Sequence, residues 1–122
     1  MSISRVGQIA LTVGDMAASK AFFVDVLGLK LLFDAGPGLS FVDGGNVRLM
    51  LGLPEGGGVV GRNSCVYFVV DDLSAAYAAA LEKGADGADG PHLIAKMPDH
   101  ELWMAFLRDP DGNLVGLMEE RR

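Results

Sequence analysis

A repeat at a constant offset of 57 residues constrains this chain more than any other feature of its sequence. Gln8-Ile9-Ala10-Leu11-Thr12-Val13-Gly14-Asp15-Met16 aligns with Cys65-Val66-Tyr67-Phe68-Val69-Val70-Asp71-Asp72-Leu73, so that Gln8 falls on Cys65 and Asp15 on Asp72. In each copy a strand-like run meets an aspartate, and a helical segment follows. Asp15 and Asp72 suit the N-cap, where a carboxylate accepts free backbone N–H groups and puts negative charge at the positive helix end. Behind Asp15, the residues Met16, Phe23 and Leu27 recur at near-helical spacing, with Ala17, Ala21 and Phe22 filling the stripe. Gly28 is the expected stop. Behind Asp72, an alanine-rich segment runs from Leu73 to Lys83 and ends at Gly84, a composition that favours helix and leaves a slim face for packing on a sheet.

Three strands are expected after each helix: Leu29–Asp34, Leu39–Asp43 and Val47–Leu51, then His92–Met97, Glu101–Arg108 and Leu114–Glu119. Asp43-Gly44-Gly45-Asn46 and Asp109-Pro110-Asp111-Gly112-Asn113 close the last hairpin of each half, since Asp, Gly and Asn serve tight or left-handed backbone. The second of these we read as a structural turn. The expected fold is therefore α+β, with one βαβββ module over about 4–52, a linker over about 53–62 (Leu53-Pro54-Glu55-Gly56-Gly57-Gly58 at its start), and a second module over about 63–120. Neither half can cover its sheet on both sides alone, so the halves must pair, within one chain or between chains.

At 122 residues the chain is the length of one domain, and half its residues are hydrophobic, which is a globular composition. No apolar run of about 18 residues is present, and Met1-Ser2-Ile3-Ser4-Arg5 lacks a charged-then-apolar leader pattern, so the expectation is a soluble cytoplasmic protein. Sixteen acidic against ten basic residues argue against nucleic acid and anionic membranes as partners. The surplus reads as a solvated surface that favours a cationic ligand. A single cysteine, Cys65, allows no internal disulfide and no cysteine-rich zinc site.

The order, spacing and duplication of these motifs resemble the vicinal oxygen chelate superfamily, which includes glyoxalase I, bleomycin-resistance proteins and extradiol dioxygenases. Ile9-Ala10-Leu11-Thr12-Val13-Gly14-Asp15-Met16 leading to Ala21-Phe22-Phe23 and Leu27-Gly28-Leu29, with Phe106-Leu107-Arg108-Asp109-Pro110-Asp111-Gly112-Asn113 near the end, carry the resemblance across essentially the whole chain. It implies two βαβββ modules forming an open, U-shaped eight-stranded barrel, with functional residues on the first and last strand of each module. Homodimers are common among such proteins.

Metal-dependent relatives hold a divalent ion with His or Gln, Glu, His and Glu. The resemblance places these positions on Gln8, on Met50 (or Leu49, one residue away), on Cys65 and on Gly116. Gln8 is compatible with a metal, whereas Met50 is a poor donor for a hard or borderline cation and Gly116 has no donor at all. One soft thiolate beside one weak amide makes a poor zinc site. No cofactor is expected, and a divalent metal is the alternative.

Strand alternation puts Gln8, Ala10 and Thr12 on one face, as it does Cys65, Tyr67 and Val69, and Leu114, Gly116 and Met118. If these faces are concave, they form a largely apolar small-molecule pocket with a few hydrogen-bonding groups, with Arg48, on the parity of Met50, as a positive group nearby. Tyr67 offers a ring and a hydroxyl to an amphipathic ligand. Cys65 as a nucleophile would need a neighbouring base, and none is near it in sequence. His92, His100 and Glu101 are the remaining group with acid–base or metal-binding potential, provided a hairpin brings them together. Trp103 lies in a strand apolar on both faces, and the sequence leaves open whether it lines the pocket or packs on a helix or a second subunit. These readings converge on a metal-independent small-molecule-binding protein of the sequestration or resistance type, acting as a homodimer. The alternative is an enzyme, a lyase, epimerase or dioxygenase relative, with a non-standard metal or acid–base site.

Overall fold

The structure, a computed structural model, describes residues 2–55 and 58–122; Met1, and Gly56 and Gly57 of the expected linker, lie outside the described residues. Its contacts divide the chain into two compact units, Met1–Asn63 and Ser64–Arg122.

In the first unit, β1 (Gln8–Thr12) leads to α1 (Met16–Lys20), and then β2 (Lys30–Asp34), β3 (Leu39–Asp43) and β4 (Arg48–Gly52) follow as a meander. The sheet order is β1-β4-β3-β2, with β1 parallel to β4 and the other pairs antiparallel. The Asp15 carboxylate accepts the Ala18 N–H at 3.0 Å, as its N-cap position predicts. The helix does not stay regular through Leu27. It continues as a π-helical turn, Ala21–Val26, in which Leu27 N–H bonds Phe22 O at 3.0 Å. Gly28 then ends it at φ +78°, a left-handed conformation that favours glycine. Phe22 and Phe23 meet edge to face at 5.1 Å and are buried with Leu11, Val13, Val42, Leu49 and Leu51.

The second unit repeats the plan with β5 (Val66–Val69), α2 (Leu73–Glu82), β6 (Asp86–Lys96), β7 (Glu101–Arg108) and β8 (Leu114–Arg121), in sheet order β5-β8-β7-β6. Asp72 caps α2 by accepting Ala75 N–H at 3.1 Å, and Gly84 closes it at φ +92°. Leu73, Ala80, Ala105, Leu107, Val115 and Leu117 form its core. Both units are thus α+β and share one βαβββ plan.

A second element departs from expectation. β6 begins at Asp86 and not at His92, taking in the glycine- and proline-containing stretch Asp86-Gly87-Ala88-Asp89-Gly90-Pro91 ahead of the expected strand. It is an edge strand, so Pro91 forfeits no ladder bond on its free side, and the register shifts three times against β7. At Gly87 a Cβ would come within 3.1 Å of Leu81 Cδ2 and nearer still to the Tyr77 hydroxyl, so glycine lets the strand pass close beneath α2. Among the described residues no helix is long and apolar enough to cross a membrane.

Candidate functional site

Each sheet has one face packed against its own helix and a second face carrying most of the candidate residues. In the first unit the ladder aligns Ala10, Met50, Phe41 and Phe33 across all four strands, with Gln8, Arg48, Asp43 and Lys30 as a parallel row. Phe33 stacks on Phe41 with ring centroids 4.5 Å apart, and the Arg48 guanidinium lies 5.0 Å from the Phe41 centroid. Arg48 Nε donates to Gln8 Oε1 at 2.9 Å, while Gln8 Nε2 contacts Met50 Sδ at 3.5 Å. Gln8, Arg48 and Met50 are therefore brought together as the strand parity requires, on an aromatic base that sequence reasoning missed. Phe33 and Phe41 join the face only through strand register, which local sequence does not disclose.

In the second unit the corresponding rungs are Tyr67–Gly116–Phe106–Asp89 and Val69–Met118–Met104–His92. The Tyr67 ring lies over Gly116, where an added Cβ would come within 2.8 Å of Cε2, 3.0 Å of Cγ and closer still to Cδ2. It meets Phe106 edge to face at 5.8 Å. The Cys65 thiol beside it opposes ionisation of the Tyr67 hydroxyl and raises its pKa above the ordinary phenol value, with desolvation adding to the effect. The hydroxyl stays neutral and can donate or accept a hydrogen bond. Cys65 itself is a half-buried free thiol. Leu114 is exposed at the start of β8, paired with Arg108.

The other candidates separate. Trp103 has the parity of Ala105 and Leu107, on the helix side of the sheet and opposite to Tyr67. Its Nε1 donates to Glu101 at 3.0 Å, and the Arg121 guanidinium lies 4.1 Å from its ring. Glu119 holds this arrangement, accepting from Arg121 Nε at 3.2 Å and from Leu73 N–H at the start of α2 at 2.8 Å. The β6–β7 hairpin forms, but it does not assemble His92, His100 and Glu101. His92 pairs with Met104 while Glu101 pairs with Lys96, three positions along β7 and roughly 10 Å away. His92 Nδ1 lies 2.7 Å from Gly90 O, and His100 Nδ1 lies 2.7 Å from Asp99 Oδ1. His100 joins a surface network, with Arg122 bonded to Asp99 at 2.8 Å and to Glu120 at 3.0 Å.

The four positions that the resemblance assigns to metal ligands do not fit a divalent ion. Arg48 occupies the amide oxygen of Gln8, placing a permanent cation where a metal would bind, and the Met50 thioether contacts the amide nitrogen of Gln8. Gly116 offers no donor, and the Tyr67 ring fills the space beside it. Among the described residues no group of three or more His, Cys, Asp and Glu side chains gathers as a metal site would need.

The Asp109 carboxylate organises the last turn, accepting the N–H groups of Asp111 at 3.0 Å and Asn113 at 2.9 Å. Asp109 and Asn113 are both buried, so their polarity serves the turn.

Two βαβββ units with a shared plan and unlike exposed faces define a duplicated α+β protein. The chain belongs to the Glyoxalase/Bleomycin resistance protein/Dioxygenase superfamily, whose family profile matches residues 5–117. Among solved structures it is similar to TnmS3, an antibiotic-binding protein from Streptomyces sp. CB03234, at 28% identity over 98% of both chains and a TM-score of 0.76. A superfamily member from Sphaerobacter thermophilus DSM 20745 is 26% identical, covering 97% of this chain and 98% of the other, with a TM-score of 0.73. Lactoylglutathione lyase from Agrobacterium tumefaciens is 24% identical over 97% of this chain and 95% of that one, with a TM-score of 0.74, a likeness of fold alone. No curated protein matches the chain.

Proposed function

We propose that this chain is a small-molecule-binding protein of the sequestration type that works without a metal ion. The observation that carries the proposal is the 2.9 Å bond from Arg48 to Gln8 Oε1, which puts a fixed cation at a position where metal-dependent relatives place a ligand. An arginine there repels a divalent ion and is itself a ligand-binding group. The exposed Phe33 ring, stacked on the buried Phe41 in the first unit, supplies flat apolar surface for a ligand body. The likeness to an antibiotic-binding protein agrees with this reading, and the absence of an assembled acid–base group among His92, His100 and Glu101 gives the enzyme alternative less support. A homodimer in the cytoplasm is part of the proposal. Exposed apolar side chains such as Val69, Ile94 and Met97 give a second copy of the chain surface to bury.

The test is elemental analysis of tag-free protein grown with Mn, Fe, Co, Ni and Zn supplied. Less than about 0.1 ion per chain is expected, because the donor set is incomplete. Near one ion per chain, lost in Gln8→Ala, would overturn the proposal. Sedimentation of the same sample should give twice the mass of one chain.

A further inference from the structure

Among the described residues four arginines, Arg5, Arg48, Arg62 and Arg108, have no acidic partner, and the two of them that share one depression are Arg5 and Arg48. Asp43 is the register neighbour of Arg48 on β3, yet the Asp43 carboxylate turns to the hairpin and accepts Gly45 N–H at 2.8 Å. The guanidinium of Arg48 is held on two sides without being neutralised. Its Nε is bound to Gln8 Oε1, and its face lies over the Phe41 ring. The two terminal nitrogens have no partner among the described residues. They border an open depression of about 580 Å³, lined also by Arg5, whose guanidinium makes, among the described residues, one long 3.4 Å hydrogen bond to the Val6 carbonyl. Arg5 and Arg48 face a single acid, Asp43, in that lining, so local charge is positive in a chain of net charge −6.

We infer that the ligand carries an anionic group, a carboxylate or its equivalent, next to an aromatic or flat apolar body. Arg48 binds the anion through its free terminal nitrogens, with Arg5 adding charge from the rim. Buttressing by Gln8 and Phe41 holds the planar fork in place before the ligand arrives, so less side-chain freedom is lost on binding. Neither Phe33 nor Phe41 lines the depression, and the ligand's apolar body reaches the exposed Phe33 ring across Arg48 and the buried Phe41 on which Phe33 stacks. The overall acidity suggests a cationic ligand, but the field at the binding group is local and has the opposite sign. This inference rests on the proposed binding function and names the class of ligand it takes.

The experiment compares three probes of one shape on the full chain: 2-naphthoate, neutral 2-naphthamide and cationic 2-naphthylmethylamine. Binding is followed by amide chemical shifts, which also locate it. Naphthoate is expected to bind about tenfold or more tightly than naphthamide, the scale of a charge-assisted contact, with shifts centred on Gly7, Gly45 and Val47. Arg48→Gln should erase that preference. Arg48→Lys, which keeps the charge but loses the fork, should fall between the two. The dispersion of the variants' spectra verifies that they fold. Equal binding of naphthoate and naphthamide, a preference for the amine, or undiminished naphthoate binding in Arg48→Gln would overturn the anion site while leaving the binding function standing. Failure of all three probes at millimolar concentration would overturn both. A full metal complement with naphthoate preference intact would overturn only the metal-independent reading.

Discussion

Gly116 tests whether the second sheet is built around the Tyr67 ring. In Gly116→Ala the new methyl would lie within 3.0 Å of Tyr67 Cγ, the atom at the base of the ring. Turning the ring about its own axis leaves Cγ in place, so the side chain must change its first torsion or sit off its rotamer. An off-rotamer torsion costs about 0.5–1.5 kcal/mol. Losing the edge-to-face contact with Phe106 costs about 0.5–1.5 kcal/mol more. Against this, alanine in a strand interior regains about 0.5–1 kcal/mol over glycine. Gly116→Ala should therefore destabilise by about 1 kcal/mol, or roughly 4 °C in Tm for a chain of this size. In a Tyr67→Ala background the obstruction is gone and only the strand gain remains, so the same substitution should stabilise. A double-mutant cycle from urea midpoints at unchanged slope reads the reversal. An equal effect of Gly116→Ala in both backgrounds would refute the packing account.

Three further outcomes follow from single contacts. The Asn63 side chain pairs with the free edge of β1 as a short strand would, donating to Thr12 O at 2.9 Å and accepting Thr12 N–H at 3.0 Å. Asn63→Ala strands both part-buried groups and should lower the urea-derived stability by about 1–3 kcal/mol, with faster amide exchange at Thr12. Glu119→Ala removes the acceptor for Leu73 N–H at the start of α2 and should cost about 1–2 kcal/mol, visible as lost helical circular dichroism at lower urea; an unchanged midpoint would show that Asp72 alone suffices. His100, and after it Arg122, hold the Asp99 carboxyl below the usual carboxylate range. A lowered folded pKa means stabilisation present above the unfolded value of about 4, and lost as pH falls through the folded value. Asp99→Asn should thus flatten the fall of Tm below about pH 4, and a parallel curve would contradict the ion-pair assignment.

Local chemistry could be read from the sequence, and register could not. Asp15, Asp72, Gly28, Gly84 and the Asp109 turn act within a few residues of themselves, so their roles follow from residue type and spacing. β6 was obscured because Gly87, Gly90 and Pro91 are turn residues everywhere except on a bulged edge strand. The Arg48–Gln8 bond joins residues 40 apart, and parity could place them on one face without showing that one holds the other. Trp103 was undecidable because both alternating sets of β7 are apolar. In the structure it lies on the face of Ala105 and Leu107, held by Glu101 of its own strand and by Arg121 of β8, and the strand's apolar pattern does not disclose that choice. Asn63 carried no signal, since a lone polar residue beyond a glycine-rich stretch gives no hint that it pairs with a strand.

The repeat exposes one further relation. Ala10–Met50–Phe41 in the first sheet and Tyr67–Gly116–Phe106 in the second are the same rung of the same ladder, related by the sequence offset at its first strand. The aromatic third member is kept, while the large and small side chains exchange places between the parallel strands. In one sheet the bulk rises from the last strand, in the other from the first. Packing requires only that the pair fill the space together, which is why neither position resembles its counterpart when the halves are aligned one residue at a time. Exchanging the volumes in the second sheet tests this. Gly116→Met alone drives a long side chain into the Tyr67 ring and should cost about 1–3 kcal/mol, as overpacking does. Adding Tyr67→Ala rebuilds the rung of the first sheet, and the double variant should return to within about 1.5 kcal/mol of the parent. Urea unfolding of the four proteins decides it. If the double variant is less stable than Gly116→Met alone, the two rungs are not interchangeable solutions, and the exchange of volumes is an accident of alignment.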